Sequence, residues 1–436
     1  MSAPASRRPF TARLAALTAG MLLGLVLAAR PALAQGASAT TVIDWNRVLN
    51  EAFAVPGAHP ATIFFPRPYA MVNLAMFEAA NSVERRYRPY AVDVAAERGA
   101  SGDAAVAQAA HDVLVNLMPS QRARFDAALA ASLASIPTAA AETGRQAGAA
   151  VAREILELRR DDGWSRRPPE YLLPHVAGYW QPAPPANAAA AFSHYPDVVS
   201  FGLDGSQHFA PAPPPSLASA TYAADFNEVK ALGSVNSTVR TAEQTQIARL
   251  VAGVGTTTGP NRLWNLVLAD LALQRNLSGL DTARAYALLN MGIHDGLRVT
   301  FNGKYLYGLW RPVTAIREAG IDNNAATEPD PSWVPLLATP PYPSYPGNVT
   351  CLSIIGATVF TRVFGRDDIP FSVTWPDAAG APVATRSYNG FRQFADECAR
   401  SRVYGGIHFE FDQLASRGVC IQVAEYILDN QLRPVR

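Results

Sequence analysis

The sequence contains few cysteines. Only three of its 436 residues are cysteine, so at most one intramolecular disulfide can form, and a fold stabilised by several disulfides is excluded. The spacing of Cys351, Cys398 and Cys420 also matches no zinc-binding pattern. Cys398 and Cys420 are the favoured pair, and three unpaired buried thiols are the alternative.

An excess of charge of either sign is lacking as well. The chain has 37 basic and 36 acidic residues, a net charge of +1, so no overall field attracts nucleic acid or an anionic membrane surface. We therefore expect a small-molecule partner and no nucleic acid. Whether the chain forms a homo-oligomer stays open, because surface patches cannot be recognised in one sequence.

Long apolar runs are missing except near the N-terminus. Arg7 and Arg8 precede an apolar run over residues 14–29, and residues 32–34 offer a small-residue cleavage site, so residues 1–34 are predicted to be a signal peptide. The paired arginines suit the twin-arginine route and also an ordinary Sec signal. The remaining chain lacks an apolar stretch of about 18 residues, so we expect no stable membrane insertion. An exported protein, periplasmic or extracellular, is predicted.

Helical periodicity covers most of the remaining chain. Residues 66–81 place apolar side chains at the spacing of a helix that is buried on most sides. Prolines such as Pro119 and Pro137 separate further Ala-rich or periodic segments. These segments predict helices at 101–118, 120–135, 138–160, 219–232, 241–253, 261–275, 280–301, 349–364, 388–400 and 408–430. Alternating β-branched runs are few, so the predicted class is all-α, with two packed helical bundles.

A Pro-rich stretch at residues 164–218 interrupts the helical pattern. Its prolines rule out any long helix, so we expect an extended linker that wraps over the helical body. This linker divides the chain into an N-terminal bundle, residues 35–163, and a C-terminal bundle, residues 219–436. A turn-rich segment, 318–347, lies within the second bundle.

Two groups of residues in the C-terminal bundle carry the candidate chemistry. In the first, Lys304 and Arg311 are seven residues apart, which on one helix places both on the same face, about 10 Å apart along the axis. Pro312 would then end or bend that helix and fix the direction of Arg311. Alone, such a pair is most often a solvated helix face.

The second group lies within residues 401–412, which read Ser-Arg-Val-Tyr-Gly-Gly-Ile-His-Phe-Glu-Phe-Asp. The adjacent glycines allow a tight turn before a helix N-terminus, which favours an anion. Asp412 follows His408 by four residues and can hold one ring nitrogen while the other faces a pocket. A lone histidine is more often a packed core residue, but the added Arg402 and Asp412 make this pattern much narrower.

These residues resemble the motifs of the superfamily that contains the vanadium haloperoxidases and the type 2 phosphatidic acid phosphatases (PAP2). Residues 304–312 fit its Lys, six residues, Arg-Pro motif, and residues 401–412 fit its Ser-Arg, five residues, His, three residues, Asp motif. The secreted bacterial branch of vanadium-dependent haloperoxidase-like proteins is the most similar. That similarity extends over residues 70–90, 222–246, 310–317 and 404–409.

The resemblance implies a pocket for a tetrahedral oxyanion. The oxyanion is vanadate in the haloperoxidases, which use peroxide and halide, and the phosphoryl group of a phosphate ester in the phosphatases, which need no metal. Lys304, Arg311 and Arg402 would neutralise its oxygens. His408 would be the axial vanadium ligand or, in a phosphatase, the nucleophile that becomes phosphorylated. Asp412 would orient His408.

The chain departs from the superfamily at residues 346–349. Where the superfamily has Pro-Ser-Gly-His, this sequence reads Pro-Gly-Asn-Val. The backbone N–H groups of Gly347 and Asn348 can still donate to an anion. Val349, however, replaces the histidine that acts as general acid/base in relatives, and the loss of such a group reduces the rate by about 10²-fold to 10⁴-fold. We expect oxyanion binding to survive while turnover falls.

No other residue is a convincing replacement for that histidine. His294 lies about 15 Å from Lys304 along the predicted helix, and helical spacing points Glu410 away from His408. Structural roles are expected for both. The leading prediction is an enzyme of the peroxidase class, a vanadium haloperoxidase-like protein with altered or reduced activity. An acid phosphatase acting through phospho-His408, and a non-redox or pseudoenzyme oxyanion-binding protein, are the alternatives.

Overall fold

Helices form almost all of the regular structure in this computed structural model. It describes residues 35–55, 66–203, 209–254, 259–377 and 381–435, so the predicted signal peptide lies outside the described residues. The N-terminal half contains α1 (Ala39–Ala54), α2 (Pro66–Glu84), α3 (Gly102–Leu117), α4 (Arg122–Leu133) and α5 (Thr138–Leu158). The C-terminal half contains α6 (Ala220–Gly233), α7 (Ala242–Val251), α8 (Pro260–Gln274), α9 (Gly279–Tyr307), α10 (Pro312–Arg317), α11 (Asn348–Phe364), α12 (Phe391–Tyr404) and α13 (Glu410–Asn430).

The all-α class and every predicted helix are confirmed, with differences at the ends. The helix predicted at 280–301 continues to Tyr307. Gly308 ends it, because the backbone of Gly308 is in the left-handed conformation, at φ +59°. Two helices, α1 and α10, were not predicted. The hydroxyl of Ser38 caps α1 by accepting from the backbone N–H of Thr41.

A small antiparallel hairpin was also not predicted. It consists of β1 (Phe371–Pro376) and β2 (Pro382–Tyr388), and Phe371 pairs with Tyr388. Only Val373 and Trp375 of β1 are buried, which gives a period of two over very few residues. So short an alternation is a weak signal beside the helical pattern on both sides of it.

Helix α9 lies at the centre of the core. Most of its residues are buried, and it packs against α1, α2, α11 and α13. Helix α11 approaches it closely at Gly296, where an added Cβ would lie 2.3 Å from Cδ1 of Ile355. This packing brings the end of α9 close to the beginnings of α11 and α13. None of the helices in the described ranges is long and apolar enough to span a membrane.

The Pro-rich stretch follows the prediction within the parts that are described, 164–203 and 209–218. It contains no α-helix there, and its 3₁₀ turn at Tyr195–Asp197 is three residues long. Asp295 of α9 holds it to the core by accepting hydrogen bonds from the backbone N–H groups of residues 201–203, at 2.6 to 3.1 Å. The described residues belong to one compact unit, and the division into two bundles at this stretch stays a prediction.

The disulfide joins Cys351 and Cys420, so the predicted pairing of Cys398 with Cys420 is wrong. Cys351 lies on α11 and Cys420 on α13, and these helices pack side by side with the two Cα atoms 5.3 Å apart. Cys398 is a buried free thiol on α12. The choice of partner depends on helix packing, which sequence spacing does not reveal.

Candidate functional site

Lys304 and Arg311 reach one pocket, but not from one helix. Lys304 lies in the last turn of α9, which ends at Tyr307, and the chain turns at Gly308. Arg311 is the N-cap of α10, which begins at Pro312. The prediction of two turns along one helix is therefore wrong, and Pro312 begins a helix instead of ending one, as suits proline in the first turn.

Lys304 is fully buried and holds a neighbouring turn in place. Its ammonium group donates to the carbonyl oxygens of Pro343, Ser344 and Pro346, at 3.1, 2.7 and 2.6 Å. Those three bonds use all three of its N–H groups. Burial, together with the charge of Arg311, lowers the pKa of Lys304 well below its ordinary value. As placed, Lys304 acts on an anion through its charge and not through a free N–H group.

Two buried arginines keep N–H groups without partners. Arg311 donates from Nε to the carbonyl of Tyr342 at 2.7 Å, and from Nη1 to the carbonyl of Ile407 at 2.8 Å. Nη2 of Arg311, and Nε and Nη1 of Arg402, have no hydrogen-bond partner among the described residues. Burial lowers the pKa of both guanidinium groups, that of Arg402 to about 10. Such buried donors are costly unless a ligand accepts from them.

His408 lies between Arg311 and Asp412. Its Nε2 is 3.1 Å from Nη1 of Arg311, and its Nδ1 is 2.7 Å from Oδ2 of Asp412. A guanidinium group can only donate, so Nε2 must accept, and the ring proton is placed on Nδ1, which donates to Asp412. Burial and the neighbouring cations lower the pKa of His408 well below its ordinary value. The ring is therefore neutral, with the lone pair of Nε2 facing the arginines.

Asp412 orients His408, as the motif implied, and receives further donors. Its Oδ2 accepts from the hydroxyl of Ser344 at 2.6 Å and from the backbone N–H of Phe409 at 3.2 Å. Burial raises the pKa of Asp412 to about 6, although the Ser344 hydrogen bond and the charge of Lys304 act in the opposite direction. Sequence reasoning missed Ser344. The only available signal was a hydroxyl residue two positions before Pro346, within the turn beside the altered motif.

The charges in the pocket do not balance. Lys304, Arg311 and Arg402 are buried together, and Asp412 is the carboxylate in the described ranges whose charge acts on Lys304 and Arg311. A pocket with three cationic groups and one carboxylate suits an anion of one or two negative charges.

The altered motif forms the beginning of α11. Gly347 is the N-cap, and its N–H donates to the backbone carbonyl of Asp412 at 3.0 Å, so it is not free to bind an anion as predicted. Asn348, the first residue of the helix, keeps an N–H group without an intrahelical acceptor. A Cβ at Gly347 would lie 2.5 Å from Oε1 of Gln413. Gln413 therefore fills the space that a serine side chain would need, and Val349 packs half-buried against the core.

Neither candidate replacement for the missing histidine reaches this pocket. His294 is buried on α9, where its Nδ1 lies 2.9 Å from Oδ1 of Asp295, and it packs edge-on against Phe201. Glu410 forms an ion pair with Arg400 at 2.7 Å. Both have the structural roles that the sequence predicted.

Comparison with known proteins identifies similar chains. Residues 284–436 match the family model described as the VCPO second helical-bundle domain. A vanadium chloroperoxidase of Curvularia inaequalis is 24% identical over 293 residues, which cover 52% of this chain and 47% of that protein. The chain thus spans about half the length of this curated relative.

Two solved structures share the fold. A bacterial vanadium-dependent iodoperoxidase superimposes with a TM-score of 0.79 at 22% identity, covering 93% of this chain and 99% of that one. A holo-type bacterial vanadium-dependent chloroperoxidase has a TM-score of 0.69 at 16% identity, covering 87% and 93%. At these identities, the superpositions concern the fold alone.

Proposed function

We propose that this chain is a vanadium haloperoxidase-like protein whose pocket binds vanadate and supports a slow oxidation of halide by peroxide. One observation carries the proposal: the buried guanidinium groups of Arg311 and Arg402 leave three nitrogen donors without protein partners. A tetrahedral oxyanion accepts from such donors and offsets their charge. The donor set also differs from that of a bare cation site, since the described residues contain no cluster of three His, Cys, Asp or Glu side chains able to hold a metal ion.

Each pocket residue has a distinct role in this proposal. Arg311 and Arg402 donate to the oxyanion, the N-terminus of α11 adds the N–H of Asn348, and Lys304 contributes charge. His408 offers the lone pair of Nε2 once Arg311 turns its N–H toward the anion. Asp412 keeps the ring proton on Nδ1 and so keeps Nε2 available.

Vanadate, when bound, supplies the Lewis-acid centre at which peroxide becomes reactive toward a halide. In the net reaction, halide, peroxide and one proton give hypohalous acid and water. The halide loses two electrons, the O–O bond of peroxide breaks, and the proton completes the water. Val349 cannot deliver that proton, so it must come from solvent. We therefore propose a rate reduced by about 10²-fold to 10⁴-fold relative to a chain with a histidine there.

Titration with orthovanadate, followed by a bromide and peroxide assay, tests this function in the mature protein and in Val349→His. Vanadate should bind to both, and bromide oxidation should rise by about 10²-fold to 10⁴-fold in the variant. Val239→His, at an exposed position, is the matched control and should change nothing.

Three results would count against the proposal. Absence of vanadate binding would show that the pocket does not bind an oxyanion. An unchanged rate in Val349→His would show that position 349 is not where the proton is delivered. Phosphate release from an activated aryl ester, inhibited by vanadate and without bromide oxidation, would identify a phosphatase that uses His408 as its nucleophile.

Export to the periplasm or beyond is part of the proposal. The disulfide between Cys351 and Cys420 supports it, because disulfides persist mainly in oxidising compartments. The predicted signal peptide would direct the chain there.

A further inference from the structure

A largely apolar cavity of about 270 Å³ lies beside the oxyanion pocket. For scale, a dry apolar cavity of about 150 Å³ binds benzene. The apolar part of the wall includes Leu297, Leu337, Pro340, Val349 and Leu352. A cavity of this size and lining accommodates a substituted ring or a short alkyl chain, and it is larger than a halide or a peroxide needs.

Two polar residues of this cavity belong to the oxyanion pocket: Arg402, with its unpartnered Nε and Nη1, and Asn348 at the beginning of α11. Asn261 of α8 also lines the cavity, and its side-chain amide has no hydrogen-bond partner among the described residues. Tyr342 also lines the cavity, and its ring centre lies 4.9 Å from the guanidinium carbon of Arg311 and 5.4 Å from the ammonium nitrogen of Lys304. One wall of the cavity is thus shared with the cationic groups.

The substitution at position 349 makes the shared boundary more apolar. A histidine there would present a polar, titratable ring beside the anion, whereas Val349 presents two methyl groups to the cavity. Burying apolar ligand surface against such a wall is favourable by about 25 cal/mol per Å². A ligand with an apolar body and one polar end matches this distribution of groups.

We propose that this cavity, which we call the acceptor cavity, binds the organic co-substrate next to the oxyanion. The ligand is a small molecule with an apolar ring or chain and one anionic or hydrogen-bond-accepting end directed at Arg402. The inference rests on the proposed function and adds a substrate class to it. Hypohalous acid formed at the oxyanion would react with a C–H bond of the bound molecule, giving a C–halogen bond and water, before it diffuses away.

Organophosphonates test the acceptor cavity without any need for turnover, because they join a tetrahedral oxyanion to an apolar group in one molecule. Calorimetric titration of the protein compares inorganic phosphate, methylphosphonate, propylphosphonate and phenylphosphonate. Each added methylene should tighten binding about fourfold, since a buried methylene is worth about 0.8 kcal/mol. Phenylphosphonate should bind at least ten times more tightly than methylphosphonate and should compete with inorganic phosphate.

Variants of Leu352 locate the apolar group. Leu352→Trp fills the acceptor cavity, so it should abolish the advantage of the phenyl group while leaving phosphate affinity unchanged. Leu352→Ala enlarges the cavity and should move the preference toward longer chains, which keeps the test valid if the tryptophan variant does not fold. Leu273→Trp, at an exposed position on α8, is the control and should behave like wild type.

The possible results separate this inference from the function on which it rests. If phosphate binds and the phosphonates bind no more tightly, the role proposed for the acceptor cavity is wrong, while the assignment of the oxyanion pocket remains valid. A phenyl advantage that survives Leu352→Trp, or that does not compete with phosphate, places the ring elsewhere and overturns the inference. If neither phosphate nor phosphonate binds, the oxyanion pocket fails and the shared site fails with it.

Discussion

The two halves of the molecule bury arginines in opposite ways. In the N-terminal half, Arg67 and Arg159 share Oδ2 of Asp162 at 2.6 and 3.0 Å, and backbone carbonyls accept their remaining bonds. In the C-terminal half, Arg311 and Arg402 keep donors without protein acceptors. A buried charge needs a partner, so the first cluster is complete within the fold and the second requires a ligand.

Two of the buried histidines, His111 and His408, show the same contrast. His111 lies between Asp112 and Asp126, with both ring nitrogens 2.7 Å from a carboxylate oxygen, and the hydrogen bond with Asp112 raises its pKa. His408 has one carboxylate and several cations around it, and burial lowers its pKa. In these two clusters, pairing within the protein accompanies a structural role, and unpaired cationic groups accompany the candidate binding site.

Removal of Asp162 should have the largest effect. Asp162→Ala leaves Arg67 and Arg159 buried without a counter-charge, which should lower the free energy of unfolding by about 3 to 5 kcal/mol. Chemical denaturation measures the loss, and Asp161→Ala, its exposed neighbour, is the control. If the free energy of unfolding fell by less than about 1 kcal/mol, or if vanadate restored the lost stability, the cluster around Asp162 would not differ from the Arg311 and Arg402 pocket.

Removal of Arg402 should show the opposite behaviour. Arg402→Met should weaken vanadate and phosphate binding by about 2 to 5 kcal/mol, because it removes a charged donor from a buried site. The free energy of unfolding without ligand should stay the same or rise, since a buried group without a partner is gone. Titration and denaturation measure the two quantities, with the exposed Arg392→Met as control. A large loss of stability in the ligand-free variant would contradict the contrast.

Ser344→Ala should have an intermediate effect. The variant removes a hydrogen bond to a carboxylate, a contact worth about 1.5 to 3 kcal/mol. Because that bond lowers the pKa of Asp412, its loss should raise this pKa further and weaken the hold on His408. The pH profile of vanadate binding should shift toward higher pH, whereas Ser344→Thr should restore it. A fall in stability without any shift in the profile would make Ser344 a purely structural residue.

The pH dependence of stability should differ in sign between the two histidines. The folded-state pKa of His111 is raised, so its contribution is full below about pH 6.5 and disappears as the pH rises through the folded value. The folded-state pKa of His408 is lowered. Below about pH 6.5 the unfolded chain takes up a proton on this residue that the folded chain does not, so the fold loses stability as the pH falls. Asp412, with a raised pKa, opposes this loss below about pH 6.

Denaturation midpoints at pH 5 and pH 8 measure this smallest effect. His111→Gln should be destabilised relative to wild type more at pH 5 than at pH 8. His408→Gln should be destabilised more at pH 8 than at pH 5. If both losses of stability changed with pH in the same direction, the two histidines would not differ in the sign of their pKa shifts.

Local sequence patterns were sufficient for most of the fold. Periodicity and prolines are properties of neighbouring residues, and they predicted α2–α9 and α11–α13, together with the extended course of the Pro-rich stretch. The hairpin escaped because β1 is too short for its alternation to outweigh the surrounding helical pattern. Gly308 also lay inside a predicted continuous helix, although its left-handed backbone ends α9.

The site was predicted as a set of residues and not as a set of contacts. The motifs placed Arg311, Arg402 and His408 in one pocket. In the structure Arg311 donates to His408, and burial together with the charges of both arginines lowers the pKa of its ring. Three features of the site depend on how the turn at residues 343–346 folds back onto α9 and α13. The N–H of Gly347 is already bonded, Lys304 uses all its N–H groups on backbone carbonyls, and Ser344 donates to Asp412. Such tertiary contacts leave no periodic trace in the sequence.

The disulfide makes a closed covalent ring out of residues 351–420, and Arg402, His408 and Asp412 all lie within it. One cut of the backbone inside the ring opens it without releasing a fragment. The two pieces remain a single molecule until the disulfide is reduced. A chain cut once by a protease within this ring would therefore keep both sides of the pocket together in a one-to-one ratio, independent of dilution.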